Sequence, residues 1–227
     1  MTVRRNARRL TIAVSAAWVA SLSFPLSSCV PWTTRPIEDT NASSSTGEPF
    51  NARSYVDARW APKLLPAVLD SAVEARVLLE ALAASPDAAS RRYGHREGMG
   101  EFHFAVKGEG RVVALDTRSR VGLLLVDVAP FDNRPDVSIQ TGPVLRGFSL
   151  RDFTGLVRFT DFANQLEFAD VGNALNDRVL ATVLAGLDLK NARGRSVSFA
   201  GTFSLGDAGQ PPIREVVPVS LKLEERR

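Results

Sequence analysis

The sequence predicts an α+β protein: N-terminal helices, then an antiparallel sheet or small OB-like β-barrel carrying one long inserted helix. Three observations predict it. Apolar residues recur at three- and four-residue spacing from about residue 65 to 82, the period of a helix with one buried face. After residue 101 the pattern changes to short runs rich in Val, Phe and Leu, which read as strands. A second long helical pattern then separates four such runs from two more, an order that suits a five- or six-stranded barrel of the oligonucleotide/oligosaccharide-binding type.

The first 28 residues read as an export signal. Arg4, Arg5, Arg8 and Arg9 stand before an apolar stretch that runs from Leu10 to Leu26, and no acid interrupts them. A basic start, an apolar middle and a small-residue exit are the parts of a secretory leader. The apolar stretch falls short of the about 20 residues that a spanning helix needs. Leu26-Ser27-Ser28-Cys29 has the spacing of a bacterial lipoprotein signal. Cys29, the single cysteine, is therefore expected as the first mature residue and the attachment point of diacylglyceryl and palmitate chains. The thiolate is the nucleophile that makes such a thioether feasible, and two or more acyl chains anchor far more firmly than one. The expected address is extracytoplasmic, on the periplasmic side, with the lipid bilayer as partner through acylated Cys29. Val30 stands where an aspartate would favour the inner membrane; inner and outer membranes both stay open.

Loss of the leader changes the charge. The chain holds 28 Lys+Arg against 25 Asp+Glu. The leader takes four arginines and no acids, leaving 24 bases against 25 acids. The mature chain then lacks the basic surface that a nucleic-acid partner requires. A lone cysteine also excludes a disulfide framework and a Cys-based zinc site.

Residues 29–49 shift to Thr, Ser, Pro and Asn, including Ser43-Ser44-Ser45-Thr46-Gly47. Such composition cannot bury enough apolar surface to order itself, so this stretch reads as a flexible tether. Residues 50–227 read as one globular domain, long enough to bury a core. A short helix is expected over 52–60, with a break at Pro62. A longer helix follows, with Leu65, Val68, Leu69, Ala72, Ala75, Leu79 and Leu82 on one stripe. Ser85-Pro86-Asp87 is a good start for another, since Ser caps and Pro suits the first turn. Strands are expected at 102–107, 111–116, 121–128 and 137–141, with Gly108-Glu109-Gly110 as a turn between the first two. The long helix spans 161–184 with Asp161 as its cap, and two strands, 197–204 and 215–223, close the chain.

Chemistry is sparse. On the long helix Gln165, Asn173 and Asn176 fall within the arc that also holds Phe162, Leu166, Phe168, Leu175 and Val179. An amide on a buried face needs partners, because an unsatisfied group costs about 1–3 kcal/mol. Either these amides bond to backbone of an irregular segment such as 141–150, or they line a pocket for a neutral sugar, with Phe162 or Phe168 as an apolar wall. His95 and His103 do not have metal-site spacing. Asp127, Asp132 and Asp136 lack the alternation of a calcium loop and are assigned to turn and strand-end roles. No nucleophile elbow and no phosphate-cradling glycine loop is present. No catalytic residue, cofactor or metal is assigned, and the chain is not read as an enzyme.

One set of segments resembles a known family. In order they are Tyr93-Gly94-His95-Arg96-Glu97-Gly98, Gly108-Glu109-Gly110-Arg111-Val112-Val113, Gly142-Pro143-Val144-Leu145-Arg146-Gly147 and Leu150-Arg151-Asp152. Asp161-Phe162-Ala163-Asn164-Gln165-Leu166-Glu167-Phe168 and Asn173-Ala174-Leu175-Asn176-Asp177-Arg178 follow. The set is similar to a family of predicted periplasmic lipoproteins of bacteria that has no assigned activity. The resemblance implies companionship with ribose-type sugar ABC transporters or their binding proteins, and carries over no catalytic residue. It points again at Gln165, Asn173 and Asn176 and adds Arg146, Arg151 and Asp152. The resulting expectation is an accessory or binding lipoprotein for carbohydrate uptake. The alternatives are an envelope-maintenance lipoprotein with no small ligand, and an envelope glycan hydrolase.

Overall fold

Five strands close into a barrel because one of them, far longer than the sequence pattern suggests, pairs along both of its edges. A computed structural model describes residues 49–205 and 213–224. The strands are β1 (Val73–Glu74), β2 (Phe102–Asp116), β3 (Leu123–Val128), β4 (Val137–Gln140), β5 (Ser196–Leu205) and β6 (Ile213–Leu223). Their order is β1-β2-β3-β4-β6-β5, and β5 returns to β2 to close the ring. The β2–β5 ladder runs from Phe102↔Leu205 to Arg111↔Ser196, and β2 meets β3 from Gly110↔Val128 onward. β4 and β6 run parallel, as do β1 and β2. The sheet is therefore mixed where an antiparallel one was the first expectation, while the barrel alternative describes its closure.

The Gly108-Glu109-Gly110 turn expected inside β2 is corrected: these residues are strand, paired with Phe199, Ser198 and Val197. A β-carbon on Gly110 would stand 2.5 Å from Val126 Cγ1 and 2.6 Å from the Asp127 carbonyl oxygen. Glycine is there for the close approach of β3, a standard use of glycine within a strand.

The helices are α1 (Ala52–Arg59), α2 (Leu65–Ser71), α3 (Ala75–Ala84), α4 (Pro86–Tyr93), α5 (Ser149–Phe153) and α6 (Gln165–Val179). Asn51 caps α1 by accepting from the Ser54 N–H at 3.0 Å, and Ser85 caps α4 through the Ala88 N–H. Pro62 does not break the chain's helical course. The residues Trp60–Leu64 widen into a π-turn in which the Leu65 N–H reaches the Trp60 carbonyl. A wide turn tolerates a residue that has no N–H to give. The stripe expected from Leu65 to Leu82 is interrupted, since Val73 and Glu74 leave the helix to pair with Val106 and Lys107. Pairing with the barrel outweighs two residues of helical continuity. Leu69 consequently faces solvent, while Val68, Ala72, Ala75, Leu78 and Leu82 join the core.

α5 and α6 lie between β4 and β5, at the place of the expected insertion. The cap of α6 is Asn164 and not Asp161: Asn164 Oδ1 accepts from the Glu167 N–H, and Glu167 reaches back to the Ala163 N–H. Asp161 instead closes a short 3-10 turn, Phe159–Asp161, by accepting from the Arg158 N–H. α6 continues through a π-turn, Leu180–Leu184. It packs on α1, where Arg178 pairs with Asp57 at 2.8 Å. One core runs through the whole assembly, with Phe104 and Phe203 stacked at 5.2 Å near its centre. No helix among the described residues is long and apolar enough to cross a membrane.

Candidate functional site

The residues singled out by sequence separate into two groups. The first group fixes the segment between β4 and α5. Asn176 is buried on α6 and donates from Nδ2 to the Gly147 carbonyl at 3.2 Å. Arg146 projects to solvent and pairs with Glu215. Beneath it Gln140, 1% exposed, donates to the carbonyls of Arg146 and Glu215 and accepts from the Arg146 N–H. Ser138 Oγ accepts from the Glu215 N–H. Ser138 and Gln140 alternate with the core residues Val137 and Ile139 yet are themselves buried. In OB-folds the faces of the second and third barrel strands carry ligands. Here the third, β4, is covered by the chain's own segment.

The second group surrounds Arg151 on α5, only 8% exposed. Its guanidinium lies 3.7 Å from the Phe168 ring centroid and 4.4 Å from that of Phe148. It bonds Asp152 through two parallel contacts and the Phe168 carbonyl through Nη1. A guanidinium so engaged supports the wall of a site and offers no free charge to a ligand. Phe162 is half-buried and packs against Phe50, Tyr55 and Phe168, with centroids 5.3–5.7 Å apart. Gln165 and Asn173 are exposed on α6. The helix starts later than expected and turns Val171, Gly172, Leu175 and Asn176 inward. Leu166, expected on the buried arc, is 73% exposed. Cys29 lies outside the described residues.

Sequence reasoning missed a cleft whose lining includes none of these candidate residues. His95 and His103 exchange two backbone hydrogen bonds of 2.7 Å, which brings the 95–101 segment back beside β2. Across from it, residues 155–160 form the opposite wall of an open cleft of about 480 Å³, lined by His95, Glu97, Gly155, Arg158, Phe159 and Thr160. Gly155 has φ +61, and a β-carbon there would stand 3.3 Å from His95 Nε2. Both the backbone angle and the ring call for glycine. Phe159 is 52% exposed and stands edge-on to Phe168 at 5.6 Å. The cleft therefore offers an aromatic ring braced from behind, with a carboxylate, a guanidinium, a hydroxyl and an imidazole around it.

His103 sits deeper, its Nδ1 at 2.9 Å from Ser204 Oγ. Burial pushes its pKa below the ordinary imidazole value; Asp152 and Glu101 oppose that, and His95 and Arg151 add to it. Among the described residues no hydrogen bond joins Asp152 to His103, because Asp152 is engaged by Arg151. Hydrolysis of glycosides by paired acids needs two carboxyl groups, and the cleft is lined by one, Glu97. The arrangement is suited to holding a polar molecule. The only hint in the sequence was the Tyr93–Gly98 segment; the opposite wall, 155–160, is a run of bends and a 3-10 turn that spacing could not bring beside it.

Barrel order, parallel β4–β6 pairing and a helical insertion between β4 and β5 together define an OB-type barrel with an N-terminal helical layer. The chain is similar to the crystal structure of an OB-fold protein from Thermotoga maritima, with a TM-score of 0.64 and 21% identity, covering 78% of this chain and all of that one. That likeness concerns the fold. No curated protein matches the chain. The family model described as "Predicted periplasmic lipoprotein (DUF2291)" matches residues 19–222, and the chain belongs to that family. It is thus an extracytoplasmic, lipid-anchored protein.

Proposed function

We propose that this lipoprotein is a membrane-anchored binding module for a saccharide, serving carbohydrate uptake beside a sugar ABC transporter or its binding protein. The cleft is the observation that carries the reading. Its volume of about 480 Å³ lies within the roughly 300–1,000 Å³ of small-molecule sites. The exposed Phe159 ring suits the C–H face of a sugar, and Glu97, Arg158, Thr160 and His95 supply donors and acceptors for its hydroxyls. The transporter partner rests on the resemblance noted in the sequence, and the lipid anchor would hold the module at the membrane where uptake occurs.

Calorimetric titration of the full-length protein in detergent with pentoses, hexoses, short glycan fragments and the cognate binding protein tests the reading. One sugar class should bind with a dissociation constant below about 1 mM, and Phe159→Ala should weaken it at least about tenfold, or 1.4 kcal/mol. Silence with every sugar, or an unchanged Phe159→Ala variant, contradicts it. A second reading, an envelope-maintenance protein with no small ligand, is favoured by Asn176, whose amide is spent on the Gly147 carbonyl. It predicts no heat with any sugar in the same titration.

A further inference from the structure

A second recess, of about 540 Å³, opens on the outside of the barrel and shares no lining residue with the cleft. Its floor belongs to β2, β5 and β6, the first, fourth and fifth strands of the barrel. Ligands of OB-folds sit on the second and third. Register places the floor residues in two rows across the three strands. Glu109, Ser198 and Lys222 form one, and Lys107, Ala200 and Ser220 form the other. On β5 and β6 these positions alternate with the buried Val197, Val219 and Leu221, so they stand on the outer face. Serine and alanine occupy the rest of both rows, which leaves the floor open between the charged ends. Glu74, the register neighbour of Lys107, adds a carboxylate at the rim, and Leu69, Val128 and Ala129 add an apolar edge.

Four charges at this recess stand without a counter-charge. Among the described residues no ion pair joins Glu74, Lys107, Glu109 or Lys222 to a partner. Yet Glu74 and Lys107 are neighbours in register, and Lys107 and Glu109 are two residues apart on one face. Elsewhere on this surface opposite charges do pair, as Arg118 with Asp116 and Arg178 with Asp57. Two free acids and two free bases select neither a simple anion nor a simple cation, because each would meet repulsion. They suit a molecule that carries both charges. Across their row Glu109 and Lys222 are separated by two strand spacings, about 10 Å. An extended peptide of two or three residues spans about 7–10 Å. We infer that the recess binds a short peptide by its free ends, the ammonium at Glu109 and the carboxylate at Lys222. Such charge-assisted hydrogen bonds are the strong ones. Ser198, Lys107 and Ser220 meet the peptide groups between the ends, and the apolar edge takes the peptide's side chains. The site does not depend on the saccharide reading.

Calorimetry on the full-length protein in detergent tests this, with dialanine, trialanine and alanyl-leucyl-alanine as probes. At least one should bind with a dissociation constant below about 1 mM. Acetylating its amino end or amidating its carboxyl end should each weaken binding at least about tenfold, since each removes a charge-assisted contact. Glu109→Gln and Lys222→Gln alter exposed side chains and keep the fold, which thermal unfolding of the variants checks. Glu109→Gln should weaken the free peptide by the same factor as acetylation and leave it indifferent to acetylation. Lys222→Gln should do the same for amidation, so that each loss is assigned to one contact. No heat from any of the three peptides overturns the inference. So does binding that ignores the blocked ends. Losses on blocking that persist in full in both variants overturn it too, since they would place the peptide elsewhere on the surface.

Discussion

Gln140 illustrates how one side chain can replace a missing strand. Its amide exchanges two hydrogen bonds with the Arg146 backbone and gives a third to the Glu215 carbonyl, so it ties the 141–148 segment to β6 as a ladder would. Glu215 itself holds φ +55, a left-handed conformation that costs a non-glycine residue roughly 1–2 kcal/mol. The surrounding bonds to Ser138, Gln140 and Arg146 keep it there. Gln140→Ala should destabilise the protein by about 2–4 kcal/mol, since it removes buried volume and strands three backbone groups; urea unfolding at neutral pH measures it. Arg151→Lys keeps the charge but loses the two-pronged contact with Asp152 and the stacking on Phe148 and Phe168. A loss of about 1–3 kcal/mol is expected by the same measurement. At this scale the sequence identified that Asn176 would need a partner and named the 141–150 segment as one option. It could not show that Gln140, outside every candidate set, does more of the same work.

β2 shows the same limit at the level of elements. Its hydrophobic runs are plain in the sequence, but its two glycines look like a turn until β3 is seen crossing at Gly110. A local pattern does not record how closely a distant strand approaches. Likewise the start of α6 depends on whether Asp161 or Asn164 offers the better cap. Phe162 and Phe159 decide that by packing into the aromatic cluster, which holds 159–161 as a separate turn. The β2–β5 ladder also sets a pH dependence, because it places His103 opposite Ser204 in a half-buried position. Burial lowers the folded-state pKa of His103 below 6.5. Between that lowered value and 6.5 the unfolded chain binds more protons, so stability increases with pH in this window. The contribution is fully present above 6.5 and is lost as pH falls through the folded value. Urea midpoints across pH 5–8 should follow this slope, and His103→Gln should flatten it. A variant slope equal to the wild type's would assign the effect to other groups.

For the whole molecule, the family places an OB-type barrel outside the cytoplasmic membrane on a lipid anchor. Cys29→Ser should leave the fold intact while releasing the protein from the membrane fraction and abolishing palmitate incorporation. A variant that stays with the membrane would put the anchor elsewhere. Fold class and the order of strands and inserted helix were legible because hydrophobic period is a local property. The cleft was not, since its walls, 95–97 and 155–160, meet only after the barrel has closed. The ligand proposed for this cleft is a saccharide. Two-dimensional NMR of isotopically labelled full-length protein in micelles, titrated with the sugar panel, addresses it most directly. Saturable shifts confined to His95, Glu97, Arg158, Phe159 and Thr160 are expected for one sugar class. Shifts absent there for every sugar, or centred on another face of the barrel, would contradict it.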